Sequence, residues 1–167
     1  MDGSDPRLHQ TVLLPDGRTL GFAECGDPSG RPVLFFPGPP SGRLFHHPDE
    51  SVAASLGVRV ITVDRPGYGL SDFQPRRTLL NWPSDVTALA DALGIGRFAV
   101  AGISGGAPYV AACALKIPGR LTPLRLLAIQ VRSRRRWLWA EQRRVYSRLG
   151  STWLLWDWPC WLSLTYC

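Results

Sequence analysis

Ser104 stands in Gly102-Ile103-Ser104-Gly105-Gly106, a match to G-x-S-x-G, in which a strand turns sharply into a helix and lifts a serine hydroxyl above a sheet. Glycines two places before and two places after leave room for that turn. Five letters alone are a weak signal, so the flanks decide. Arg97-Phe98-Ala99-Val100-Ala101 leads in as an apolar strand, and Ala107, Val110, Ala111, Ala114 and Leu115 lead out at helical spacing towards Pro118-Gly119. A hydroxyl held in this way is a nucleophile once a base takes its proton. Few bases are on offer. His9, His46 and His47 are the only histidines and all precede Ser104, while Glu141 and Asp157 are the only acids after it.

The elements that position this turn are legible from their periods. Gln10 to Leu14 and Arg18 to Glu24 alternate on either side of Pro15-Asp16-Gly17, which predicts an N-terminal hairpin. Pro32 to Phe36, Arg59 to Val63 and Arg97 to Ala101 are apolar on consecutive positions, the mark of buried parallel strands. Between them, a short helix is predicted over about Asp49 to Leu56. A stronger one carries Val86, Leu89, Ala90 and Leu93 on one face, with Asn81 and Pro83 to start it and Gly94 to stop it. The order is a hairpin, then β, α, β, α, β, α, which implies an α/β fold with a mostly parallel sheet, flanking helices and functional loops at the strands' carboxyl ends. Besides the Ser104 turn, those loops are Pro37 to Arg43 and Asp64 to Gly69.

Composition divides the 167 residues at Arg120. The chain is 45% hydrophobic and 19% charged, which suits a globular domain and excludes a disordered or collagenous one. Residues 1–120 carry 11 basic and 11 acidic side chains, whereas residues 121–167 carry 8 Arg, 2 acids, 6 of the 7 Trp and only 1 of the 17 Gly. The net charge of +6 therefore belongs to the last segment. Its Arg134-Arg135-Arg136 and Arg143-Arg144, interleaved with Trp137, Trp139 and Tyr146, suit phosphate contact and base stacking or an amphipathic membrane-surface helix. No recognised nucleic-acid module surrounds them. A shift of reading frame near Leu121 to Leu124 accounts together for the lost glycine, the switch to Arg and Trp and the missing histidine.

Three segments, Phe36 to Arg43, Asp64-Arg65-Pro66-Gly67-Tyr68-Gly69-Leu70-Ser71-Asp72 and Gly102 to Tyr109, resemble the α/β-hydrolase family, over about residues 10 to 121. The resemblance implies that Ser104 attacks a carbonyl or similar carbon of an ester- or amide-type substrate. A histidine would take its proton and an acid would orient that histidine, in chain order Ser, acid, His. It also implies an oxyanion hole made by the N–H of Gly105 and one from the loop after the third strand. In this chain that second place is Pro39, which has no N–H, so the loop donates from a shifted position such as Gly38 or Ser41, or not at all. His46 and His47 are substitutes for the base if their loop reaches Ser104, and solvated loop histidines otherwise. Asp64 reads as structural.

These readings give residues 1–121 as the N-terminal part of an α/β-hydrolase domain, incomplete at its C-terminal side, and 122–167 as an atypical Arg/Trp-rich tail, frameshifted or outside the fold. The function expected is serine hydrolysis of a small molecule, impaired for want of a histidine after Ser104. The alternative is a non-catalytic hydrolase-like binding protein. No cofactor or metal is implied, and Cys25, Cys113, Cys160 and Cys167 lack zinc spacing. Nothing resembles a secretory leader or an apolar run of 18 residues, so the cytoplasm is the expected location. Unless Leu124 to Ile129 adds a sixth strand, the strand before Ser104 is left with an open edge through which copies of the chain would associate.

Overall fold

The hairpin forms where Pro15-Asp16-Gly17 predicts it. In the computed structural model, which describes residues 5–45, 49 and 51–122 and the backbone of 127–129, β1 (Gln10–Leu13) and β2 (Thr19–Gly26) pair antiparallel with Val12 opposite Leu20. Gly17 takes φ +84° in the turn, a left-handed value that costs glycine nothing. β2 then pairs antiparallel with β4 (Val58–Val63), so the hairpin extends one side of a parallel set. β3 (Arg31–Phe36) lies between β4 and β5 (Ala99–Ile103) and is parallel to both. The sheet order is β1-β2-β4-β3-β5-β6, with β6 at Leu127–Ile129.

This order puts the functional loops together. The chain leaves β3 for β4 on one side, then passes back to β5 on the other, which makes the carboxyl ends of β3 and β5 a topological switch point where a crevice opens. Phe36 stands in register with Gly102, and Phe35 with both Thr62 and Ala101. The loops after Phe36, Val63 and Ile103 therefore emerge from one edge of the sheet.

The helices follow their sequence signals closely. α1 (Ser51–Ser55) is shorter than predicted and starts where the Asp49 carboxylate accepts the Ser51 N–H at 3.0 Å. α2 (Trp82–Ala92) begins with Pro83 in its first turn. It ends in a Schellman motif, with the Gly94 N–H donating to Asp91 O at 3.1 Å and the Ile95 N–H to Ala90 O at 2.8 Å. α3 (Ala107–Lys116) runs straight out of the Ser104 turn and packs against α2 and β5. Leu34, Phe36, Ile61, Val63 and Val100 of the sheet form one core with Trp82, Val86 and Leu89 of α2 and Val110 and Cys113 of α3.

β5 departs from expectation twice. It begins at Ala99 rather than Arg97, because Phe98 is taken up by the segment after α3: its N–H donates to Arg120 O at 3.0 Å and its carbonyl accepts the Thr122 N–H at 2.9 Å. The open edge expected on β5 is also corrected. β6 pairs parallel with residues 101–103 and, with the Phe98 contacts, supplies ladder partners that an exposed edge would lack.

Candidate active site

Ser104 sits at φ +53°, a left-handed conformation that a non-glycine residue rarely adopts. Ile103 before it is extended, at φ −120° and ψ 143°, and Ser104–Gly106 make one 3-10 turn that passes directly into α3. The reversal brings the backbone of the turn against β3. A Cβ on Gly106 would overlap the carbonyl oxygen of Phe36, and one on Gly102 would lie 2.8 Å from Val110 Cγ2. Replacing Ser104 with Gly should relieve about 1 kcal/mol of strain, offset in part by the greater freedom of glycine in the unfolded chain. Chemical denaturation is therefore expected to find Ser104→Gly no less stable than wild type, whereas an ordinary Ser→Gly change in a turn loses stability.

The loop after β3 lies on this turn. A Cβ on Gly38 would be 2.9 Å from Gly105 N and 3.0 Å from Ser104 Cβ, and one on Gly105 would meet Pro39 Cδ at 2.5 Å. The structure thus brings together Ser104, Gly105 and Gly38, three of the residues singled out from sequence. The Ser41 N–H donates to Gly38 O at 2.9 Å, a local turn that commits this donor and leaves Gly38 as the loop's candidate. His46 and His47 lie outside the described residues, as do Glu141, Asp157 and the Arg/Trp-rich segment. His9 is elsewhere occupied: its Nδ1 stands 3.0 Å from Arg43 Nη2, and because a guanidinium only donates, that nitrogen accepts.

Asp64 is the anchor that sequence reading placed on the structural side. Fully buried, its carboxylate accepts the Arg43 N–H at 2.6 Å, Arg43 Nη1 at 3.1 Å and the Leu70 N–H at 2.9 Å. It therefore ties the loop over Ser104 to the turn after β4. Arg43 itself escaped the sequence reading, for its partner is 21 residues away and no local pattern marks it. Asp64→Ala would leave a buried guanidinium with no counter-charge. A loss of about 3 kcal/mol is expected in urea unfolding, and a loss below 1 kcal/mol would show that the loop is held by other contacts.

Behind the turn, aromatic rings join three elements. Trp82 packs edge-on against Phe36 at 5.3 Å and against Tyr109 at 5.5 Å, so β3, α2 and α3 meet under Ser104. Burial pushes the Cys113 thiol far above its ordinary range, which makes it an inert core residue. Among the described residues no three His, Cys, Asp or Glu side chains cluster where a metal ion could sit, and no helix is long and apolar enough to cross a membrane.

The family model described as alpha/beta hydrolase fold matches residues 31–149, across the compositional break at Arg120. A proline iminopeptidase from Xylella fastidiosa (strain Temecula1 / ATCC 700964) is 31% identical over 159 residues, covering 89% of this chain and 48% of that protein. The chain thus spans about half the length of that curated relative. An epoxide hydrolase from Vigna radiata superposes with a TM-score of 0.65 at 26% identity, over 78% of this chain and 41% of its own. A thermophilic esterase from Thermogutta terrifontis does so with a TM-score of 0.63 at 27% identity, over 84% of this chain and 53% of its own. These matches take in the strands and helices described above, and the chain belongs to the α/β-hydrolase fold family.

Proposed function

We propose that this chain bears the nucleophile of a serine hydrolase acting on an ester- or amide-type bond of a small molecule, with Ser104 as the attacking group. The observation that carries this reading is the backbone of Ser104 itself. A serine kept at φ +53°, at the carboxyl edge of the sheet and at the head of α3, is strain the fold maintains in order to present a hydroxyl. The Gly105 N–H is one oxyanion donor in this proposal and Gly38 the candidate for the second. An iminopeptidase and an esterase among the similar proteins support acyl chemistry. A serine in this position argues against the carboxylate nucleophile on which alkyl-ester intermediates depend.

Within these 167 residues no histidine follows Ser104, which favours low turnover and gives weight to a second reading, a hydrolase-like protein that binds without cleaving. A fluorophosphonate probe followed by intact mass across pH 7 to 9 tests the nucleophile. With no general base, attack depends on hydroxide, so labelling of Ser104 should rise about tenfold per pH unit and vanish in Ser104→Ala. Labelling unchanged in Ser104→Ala would overturn the assignment. If His46 or His47 acts as base, the rate should instead level off above about pH 7.5, one unit past an ordinary histidine pKa, and fall in a His46→Ala/His47→Ala double variant. The expected result is no change in that variant.

A further inference from the structure

Arg65 follows β4 by two residues and is 5% exposed, yet among the described residues it pairs with no carboxylate. Its Nε and Nη2 are both buried without a hydrogen-bond partner. Those two nitrogens form one edge of the guanidinium, the side-on fork that donates to both oxygens of a carboxylate at once. The guanidinium lies 4.2 Å over the Tyr68 ring and 5.9 Å from the centre of Tyr109.

A second arginine meets the Tyr109 ring. Arg77 stands 5.4 Å from Tyr109 and 5.7 Å from Trp82, and its Nη2 is likewise buried and unpartnered, as is Trp82 Nε1. Asp85 favours the charged form of Arg77, but its carboxylate is already held by Arg18 at 2.6 Å. Burial lowers the Arg77 pKa from its ordinary value, with Arg65 and Arg18 adding repulsion.

The side chains joined around Tyr109 thus leave four buried donors unsatisfied, Arg65 Nε and Nη2, Arg77 Nη2 and Trp82 Nε1, while the one unpartnered acceptor in this loop is Gln74 Oε1. Two like charges and an excess of buried donors call for an anionic acceptor. The planar fork of Arg65 selects two coplanar oxygens. We propose that Arg65 and Arg77, flanked by Tyr68, Tyr109 and Trp82, form a carboxylate-binding site at the carboxyl end of β4. The carboxylate comes either from a small free acid or from an Asp or Glu side chain of a polypeptide. The site does not depend on Ser104 being a nucleophile.

Calorimetric titration of the 167-residue chain carrying Ser104→Ala, with sodium acetate and with N-acetyl-glutamate amide, tests this against sodium chloride at equal ionic strength. Saturable one-to-one binding is expected, weakened at least about tenfold by Arg65→Lys, which keeps the charge but loses the fork. Tighter binding of acetate supports a free acid as the occupant, and tighter binding of the blocked glutamate supports a protein side chain. Should Arg65→Lys fail to fold, the Nε resonance of Arg65 in the unmodified pocket must shift on titration. The proposal is overturned if neither acid saturates, if chloride matches them, or if Arg65→Lys binds as well as Arg65.

Discussion

Turnover of p-nitrophenyl acetate by the 167-residue chain is expected to lie about 10⁶-fold below that of a serine hydrolase with a working triad, and Ser104→Ala should change the remainder by less than about tenfold. Nucleophile, base and orienting acid act as a unit, so removing one costs nearly as much as removing all. The shortfall corresponds to about 8 kcal/mol of transition-state stabilisation. What survives in such cases, about 10³ to 10⁴ over water, comes from the oxyanion donors and from binding. In the proposed function those donors are Gly105 and the loop carrying Gly38, which lie together at the turn. Steady-state hydrolysis with an active-site titration decides the matter. Robust turnover that disappears in Ser104→Ala would mean that some group in this chain takes the serine proton, and the reading of an unassisted hydroxyl would fail.

Gly106→Ala is expected to be the most damaging single substitution in the described fold, at more than about 4 kcal/mol. Its Cβ would overlap the Phe36 carbonyl oxygen, and neither side can yield: Phe36 is fully buried in β3, and Gly106 is fixed between the strained Ser104 and the first turn of α3. Moving α3 away would open the packing of Val110 against Gly102 and of Tyr109 against Trp82. Gly119→Ala is the control, since nothing lies within 4 Å of a Cβ placed there. Urea unfolding of the pair should separate them by several kcal/mol. Equal stabilities would show that the turn and β3 are not in the close contact described.

Some of this was legible along the chain because it depends on neighbours in sequence. The alternation around Pro15-Asp16-Gly17, the consecutive apolar positions of Pro32 to Phe36 and Val60 to Val63, and the spacing of Val86, Leu89 and Ala90 encode period and burial directly. So does the glycine pattern around Ser104. Boundaries were less secure. β5 starts two residues late because Phe98 is claimed by Arg120 and Thr122, residues that local pattern cannot connect to it. The Asp64–Arg43 tie, the occupation of the Ser41 N–H by Gly38 and the pairing of β6 with β5 likewise depend on which segments meet in space.

Sequence by itself therefore determined the kinds of element, their order, and the glycine-flanked serine turn on which the proposed function rests, for each is a short-range property of residue type and spacing. Only the tertiary structure decided which loops converge over Ser104, what holds them there, and that Arg65 and Arg77 share the ring of Tyr109 with buried nitrogens unpartnered among the described residues. Contacts and buried charges are relations between distant segments, and their energies exist only once the sheet has brought those segments together.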